Sequence, residues 1–233
     1  MSSRTGDAVR TALRGVGQTL ITIGAVLLLF CVYEIWVTNL VTAQEQEQLE
    51  HEIAREWAQP APPPDGGVRP VSVELGSGIA VLRVPRLDEG PDDQYSQVVV
   101  EGTSQADLKR GPGRIVESQL PGELGNLVIS GHRTTYGAPF ADLDRLLPGD
   151  AVVVETRDTW YTYRVTGTEI VLPSAVEVTL PVPGRPGVEP TESVLTLTTC
   201  HPRYSARQRM VVSAALEETL LKVDGDPAAL TGA

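Results

Sequence analysis

Hydrophobic positions along the chain fall into three regimes. From Gly15 to Val37 they are nearly continuous, "GVGQTLITIGAVLLLFCVYEIWV", with no charge between Leu20 and Tyr33. Roughly 20 helical residues at ~1.5 Å each cross a ~30 Å hydrocarbon core. The run therefore predicts a membrane-spanning helix, with Glu34 at the interface beside Tyr33 and Trp36. A cleaved signal peptide would need a shorter apolar region and a small-x-small site. Only Val41-Thr42-Ala43 offers one, after the bulky "IWVTNL". In the second regime, 44 to 58, Leu49, Ile53 and Trp57 recur every four residues in an otherwise polar segment, which predicts a short amphipathic stalk helix. His51 on it reads as a solvated side chain. "PAPPPDGGVRP", 60 to 70, cannot continue a helix and reads as an extended spacer that holds the folded part off the membrane.

The third regime, from about Gly76 to Glu217, has short alternating runs rich in Val, Ile, Thr and Tyr, bounded by Gly, Pro or Asp. The expected strands are Ile79–Val84, Gln97–Glu101, Asn126–Ser130, Ala151–Thr156, Thr159–Thr166, Glu169–Leu172, Ser193–Thr199 and Arg209–Ala214. Eight short strands in this space predict a mainly β protein with a closed or nearly closed barrel. Two short helices are expected at 104–111 and 139–146, each with a cap or a first-turn proline. The last ten residues read as disordered. The expected organisation is thus 1–14 before the membrane, 15–38 anchor, 39–75 stalk and linker, 76–218 catalytic domain and 219–233 tail.

Charge sets the orientation. Arg4, Arg10 and Arg14 precede the apolar run, whereas Glu45, Glu47, Glu50 and Glu52 follow it with no Lys or Arg until Arg55. The positive-inside rule then places the N-terminus in the cytoplasm and the domain outside. The net charge of −11 argues against a general nucleic-acid binder, which needs a basic surface. Apolar residues at 41% suffice for a folded core. Of the two cysteines, Cys31 falls in the bilayer and Cys200 outside, so they cannot pair. An exported, unpaired cysteine either bridges to another molecule or reacts.

Cys200 lies in "TLTTCHPRYSARQRMVV", where "SVLTLTTC" alternates and ends as a strand and "RMVVSAAL" begins another. If the two strands are neighbours, Cys200 and Arg209 share one rim. A thiolate is a strong nucleophile, and acyl transfer also needs a proton donor and an oxyanion stabiliser. His132, on the loop "SGHRTTYGAPF" after the strand "NLVIS", is a candidate donor. His201 is a poorer one, because adjacent strand-end side chains point apart. Arginine suits the oxyanion as a fixed fork of donors.

Together "TLTTC", the arginine in "RQRMVV" and "VISGHRTTYGAPF" resemble the sortases, membrane-anchored cysteine transpeptidases of Gram-positive bacteria, and most resemble the class E branch of actinobacteria. The resemblance runs from about 76 to 216 and includes "VVVEGTS", "LKRGPG", "LPGELGN" and "DLDRLLPGD". It implies a sortase-type eight-stranded barrel, with Cys200 as nucleophile, His132 as acid/base and Arg209 as the oxyanion-steadying group. Arg207 is the rival to Arg209, and Arg203 reads as a loop charge. The implied substrate is a secreted protein with a C-terminal LAXTG- or LPXTG-like signal, cut between Thr and Gly. The implied acceptor is an amine of a peptidoglycan precursor, or a pilin lysine in a polymerising sortase. Tyr95, just before the strand "SQVVVE", is a candidate for selecting Ala over Pro; the alternative is a packed barrel tyrosine. "PDDQ" and "DEG" read as solvated loop charges, so no metal or other cofactor is expected. Two other readings are an L,D-transpeptidase, whose "SxGCxR"-type signature is absent, and a tethered cell-wall-binding barrel in which Cys200 is incidental.

Overall fold

The structure, a computed structural model, describes residues 2–33, 38–59, 74–88, 90 and 94–231. Helix α1 (Ser2–Val32) carries the first apolar regime. Its segment Leu13–Val32 has a mean hydropathy of 2.1 and no side chain buried in protein, which makes it a candidate membrane span. Glu34, Trp36 and the proline-rich segment 60–70 lie outside the described residues.

Eight strands follow: β1 (Gly78–Arg83), β2 (Ser96–Glu101), β3 (Gly113–Arg114), β4 (Gly125–Ser130), β5 (Ala151–Glu155), β6 (Thr159–Val171), β7 (Ser193–His201) and β8 (Gln208–Leu221). They close into a barrel in the order β1-β2-β3-β4-β7-β8-β6-β5. Closure was expected, but these are not the eight strands read from the sequence. Thr159–Thr166 and Glu169–Leu172 are one strand, β6, paired with β8 along its length. The register shifts between Val165 and Gly167, so the glycine marks a bulge rather than an end. The eighth strand is β3, two residues long, parallel to β2 and antiparallel to β4. Two residues are too few to show alternation. Strand β8 also runs past the expected Ala214.

The barrel interior is filled by the inward side chains, among them Leu82, Val99, Leu127, Ile129, Val152, Val154, Tyr163, Leu195, Leu197 and Met210. Of the two expected helices, α3 (Gln105–Arg110) forms, closed by a capping box between Ser104 and Asp107. The segment 139–146 makes only a 3-10 turn at Leu143–Arg145. Phe140, Leu143 and Leu146 are all buried, and a spacing of three residues matches a 3-10 repeat better than an α-helical one. As far as residue 231, the tail expected to be disordered is ordered. It forms a 3-10 turn (Lys222–Asp224) and helix α4 (Ala228–Thr231), and Leu230 reaches a small cavity beside Asp88 and Tyr95.

Helix α2 (Thr38–Trp57) differs most from expectation. Rather than standing free as a stalk, it lies on the barrel. Leu49 and Ile53 join Val81, Val98 and Val100 in a second apolar cluster on the outer face of β1 and β2, with Trp57 at its margin. Gln46 explains why the helix is fixed there. Because β3 is so short, it pairs only with Val100 and Glu101 of β2. Val98 would be left with a free N–H and C=O. The Gln46 amide accepts from Val98 N (2.8 Å) and donates to Val98 O (3.1 Å) and Arg110 O (2.7 Å). It thus stands in for a missing strand peptide. At the far end, Lys222 Nζ lies 4.2 Å from the Trp57 ring and 5.0 Å from the Trp160 ring, while bonding Glu155 at 2.7 Å.

If α2 is part of the fold, truncating Leu49, which is fully buried, leaves a cavity. Leu49→Ala is expected to cost ~2–5 kcal/mol in denaturant unfolding of the full chain in detergent. Glu50→Ala, one position on and exposed, should cost less than ~0.5 kcal/mol. A free stalk would make the two alike.

Candidate active site

Register brings the three expected residues together. In the parallel pair β4–β7, Ser130 lies opposite Thr198. The pairing is extended by Gly131 N–H donating to Thr198 O (3.1 Å) and Thr199 Oγ1 donating to Gly131 O (2.8 Å). His132 and Cys200, each two residues further on, therefore leave the sheet side by side. In the antiparallel pair β7–β8, Cys200 is the direct partner of Arg209. Leu127, Ile129, Leu195, Leu197, Met210 and Val212 point into the core. By alternation, Ser130, Thr198, Cys200 and Arg209 point outward. Cys200 and Arg209 thus share the outer face at the ends of adjacent strands, and His132 lies just past the end of β4, the strand on the other side of β7.

That outer face is partly roofed by the β6–β7 connection. Thr196 Oγ1 donates to Asn126 Oδ1 (2.8 Å), and Asn126 Nδ2 donates to Val178 O (3.0 Å) and Leu180 O (3.1 Å). Beyond this roof, Val176 and Val188 are exposed. Cys200 is half-buried and unpaired, and Cys31 on α1 is also a free thiol. Arg209 Nη1 donates to Ala206 O and Gln208 O, both at 2.9 Å. Those bonds pin one edge of the guanidinium to the β7–β8 loop and leave the Nε and Nη2 donors available. Arg207 is exposed and precedes the strand. Arg203 was read as a loop charge, yet it donates to Ala141 O (2.6 Å) and pairs with Asp142 (2.7 Å), tying the two loops of the site together.

The loop after β4 is built tightly. Gly131 is required by packing, since a Cβ there would stand 2.6 Å from the Phe140 ring. Phe140 N–H donates back to His132 O (3.0 Å), closing the loop. Tyr95 supports its far end. The ring packs on the core, the hydroxyl donates to Pro139 O (2.7 Å), and the backbone N–H donates to Asp88 Oδ1 (2.7 Å). Burial pushes the Tyr95 phenol above its usual range, so it stays a donor. Between these supports, Tyr136 (φ 53°), Gly137 (φ 73°) and Ala138 (φ 45°) all take the left-handed conformation. Held there, each non-glycine residue costs about 1–3 kcal/mol, which only surrounding contacts can sustain.

Sequence reasoning missed Arg133. Its side chain is only 4% exposed. It pairs with Asp144 (3.2 Å) and reaches Cys200 O (3.4 Å) and His201 Nδ1 (3.0 Å), while its Nε is buried without a partner. A guanidinium only donates, so His201 Nδ1 accepts here and the ring carries its proton on Nε2. Arg133 therefore binds the residue after the histidine to the residue after the cysteine. An arginine next to His132 was visible in "GHRTT", but nothing in the sequence distinguished it from a surface charge.

Burial lowers the basicity of His132 below its ordinary value of 6.5. The unfolded chain takes up this proton near pH 6.5, and the folded chain only at lower pH. The stability linked to the neutral ring is therefore complete above the ordinary value and is lost as pH falls through it toward the folded value. Urea midpoints measured between about pH 7.5 and 5 should fall with acid in the wild type. They should fall less steeply in His132→Gln. Equal slopes would mean the ring is not desolvated.

Comparison with known proteins shows the family and the fold. The sortase domain family matches residues 82–217. Sortase SrtE2 of Streptomyces coelicolor is 36% identical over 96% of this chain and 88% of its own length. Sortase SrtE1 of the same organism is 34% identical over 98% of this chain, which spans 64% of that longer relative. Among solved structures, the SrtF sortase of Corynebacterium diphtheriae superposes with a TM-score of 0.64 at 36% identity, covering 70% of this chain and 96% of its own. Sortase E of Streptomyces avermitilis gives 0.60 at 39%, covering 68% and 99%. Sortase E1 of Streptomyces coelicolor, solved with a tripeptide in the active site, gives 0.60 at 34%, covering 66% and 97%. A barrel of this topology, matched by family and by overall likeness to class E members, places the chain among the sortases, the cysteine transpeptidases.

Proposed function

We propose that this sortase is a membrane-anchored enzyme that cuts an LAXTG- or LPXTG-like sorting signal between Thr and Gly and passes the acyl group to an amine of a cell-wall precursor. The observation that carries the reading is the convergence of Cys200, His132 and Arg209 on the outer ends of β7, β4 and β8. His132 takes the proton of the Cys200 thiol as the sulfur attacks the Thr carbonyl carbon, and the C=O electron pair moves onto oxygen. Arg209 steadies that oxyanion with its unused guanidinium edge. As the C–N bond breaks, His132 gives its proton to the leaving glycine amine, and a thioester remains on Cys200. An incoming amine then attacks the thioester, and His132 takes the proton the amine loses and returns it to the departing Cys200 sulfur.

The sorting signal lies along the outer face of β4 and β7, beneath the β6–β7 connection. The tripeptide in the active site of the Streptomyces coelicolor relative supports a peptide substrate. Helix α1 anchors the enzyme with its N-terminus in the cytoplasm and the barrel outside, where secreted substrates and cell-wall precursors meet. A pilin lysine as acceptor is the second reading; competition between precursor amines and lysine peptides would separate the two.

The full chain in detergent, mixed with LAXTG and LPXTG peptides and an amine, should give a Cys200 acyl adduct and a Thr-amine product by intact mass. Cys200→Ala should give neither. His132→Ala should lower turnover by about 10²–10⁴-fold, and Arg209→Ala by about 10²–10³-fold. Arg207→Ala should stay within about twofold. Full activity in Arg209→Ala with loss in Arg207→Ala would reverse the assignment.

Tyr95 is proposed to bias selection between Ala and Pro by fixing the Pro139 end of the loop. Tyr95→Leu should shift the LAXTG/LPXTG ratio of kcat/KM by about tenfold. An unchanged ratio would leave Tyr95 as a packed barrel residue only.

A further inference from the structure

Helix α2 covers the β1–β2 face, and its first turns also reach the loop that carries His132. Asn39 Oδ1 accepts the backbone N–H of Gly137 at 2.9 Å. One turn along, Thr42 donates to Lys109 O (2.8 Å). The Thr42 methyl lies 3.1 Å from where a Cβ on Gly137 would stand. Next to Gly137, the Tyr136 ring has the Lys109 ammonium 5.5 Å from its centroid on one side. Its centroid is 5.0 Å from that of the His132 imidazole, with the planes tilted by 41°. A continuous series of contacts therefore runs from the start of α2 through Gly137 and Tyr136 to His132.

The conformation of this turn makes the contact consequential. Tyr136, Gly137 and Ala138 are consecutive left-handed residues. The bonds from Ala138 N to Thr135 O and from Phe140 N to His132 O close the loop around them. At its apex, the Gly137 N–H is met by Asn39 from outside the loop. Strained conformations of this kind persist only when their surroundings over-determine them. Proton transfer in turn depends on the imidazole being held in place, since small misplacements cost about 10²-fold.

We propose that Asn39 is a positioning residue for the reaction. By holding Gly137, the helix that follows the membrane span fixes the Tyr136 ring, and the ring fixes the orientation of His132. The proposal rests on the reading of His132 as the acid/base. It assigns a catalytic duty to a segment that precedes the matched sortase domain.

The test uses the full chain in lipid nanodiscs with Asn39→Ala and Asn39→Asp. The chain has three histidines, so their ring resonances can be assigned by single substitution. In Asn39→Ala the His132 resonances should shift or broaden, while those of His51 and His201 stay in place and report an intact fold. With sorting peptides, kcat should fall about tenfold and KM stay within about twofold. Asn39→Asp, which keeps an acceptor oxygen at the same reach, should restore both. His132 resonances that superpose on the wild type would overturn the proposal, as would moved resonances with turnover at the wild-type level. If the wild type turns over no peptide, the proposed substrate fails and the resonances alone decide the clamp.

Discussion

The parallel pairing of β4 with β7 is the constraint on which the rest of the site depends. It places Leu127 opposite Leu195 and Ile129 opposite Leu197, all inside the barrel. A one-residue slip would turn these leucines and isoleucines outward and bring Asn126 and Thr196 into the core, so the register has no neighbouring alternative. The same register fixes where β4 and β7 end. Strand β8 is then added against β7 with Cys200 facing Arg209. The chemistry is a boundary condition of the core: the side chains that fill the barrel decide which polar side chains meet at its rim.

Beyond the rim, precision comes from polar ties between loops. Arg133 binds Asp144, the Cys200 carbonyl and His201. Arg203 binds the Ala141–Asp142 segment. Tyr95 holds Pro139. Each joins the loop after β4 to a different part of the molecule. Exposed ion pairs contribute little by themselves, and the Asp144 and Arg203–Asp142 contacts are open to solvent. Their value lies in geometry, because a loop with three left-handed residues in a row would otherwise relax.

Much of this was legible in the sequence, for physical reasons that can be named. Alternation in "SVLTLTTC" marks β7, and the short apolar run in "NLVIS", bounded by Gly125 and Gly131, marks β4, a strand buried on both faces. The pairing of Cys200 with Arg209 followed from two strands joined by a short connection. Gly167 misled because a glycine in a strand can mark a bulge as readily as an end, and only the β8 partner decides between them. Strand β3 was invisible because two residues have no period. Leu49, Ile53 and Trp57 correctly gave a helix with an apolar stripe, but not what covers that stripe. The informative residue was Gln46, a polar side chain on the same face, whose amide completes β2. A glutamine in a glutamine- and glutamate-rich segment carries no local mark of that role, since it depends on β3 being too short.

Docking of α2 also limits how far the candidate site can stand from α1. A free stalk and spacer would carry the barrel away from the bilayer. With α1 as the span, ending at Val32, the contact at Asn39 comes seven residues later. Even a fully extended chain covers at most about 3.6 Å per residue, so Asn39 lies within roughly 25 Å of Val32, and Gly137 is one side-chain hydrogen bond beyond it. The helix then runs on for 20 residues along the barrel, and its far end, not its near end, leads into the proline-rich segment. The candidate site is thus tied to the start of α2, the end that follows the candidate membrane span. A barrel released from α2 would lose that proximity and the support of its His132 loop together.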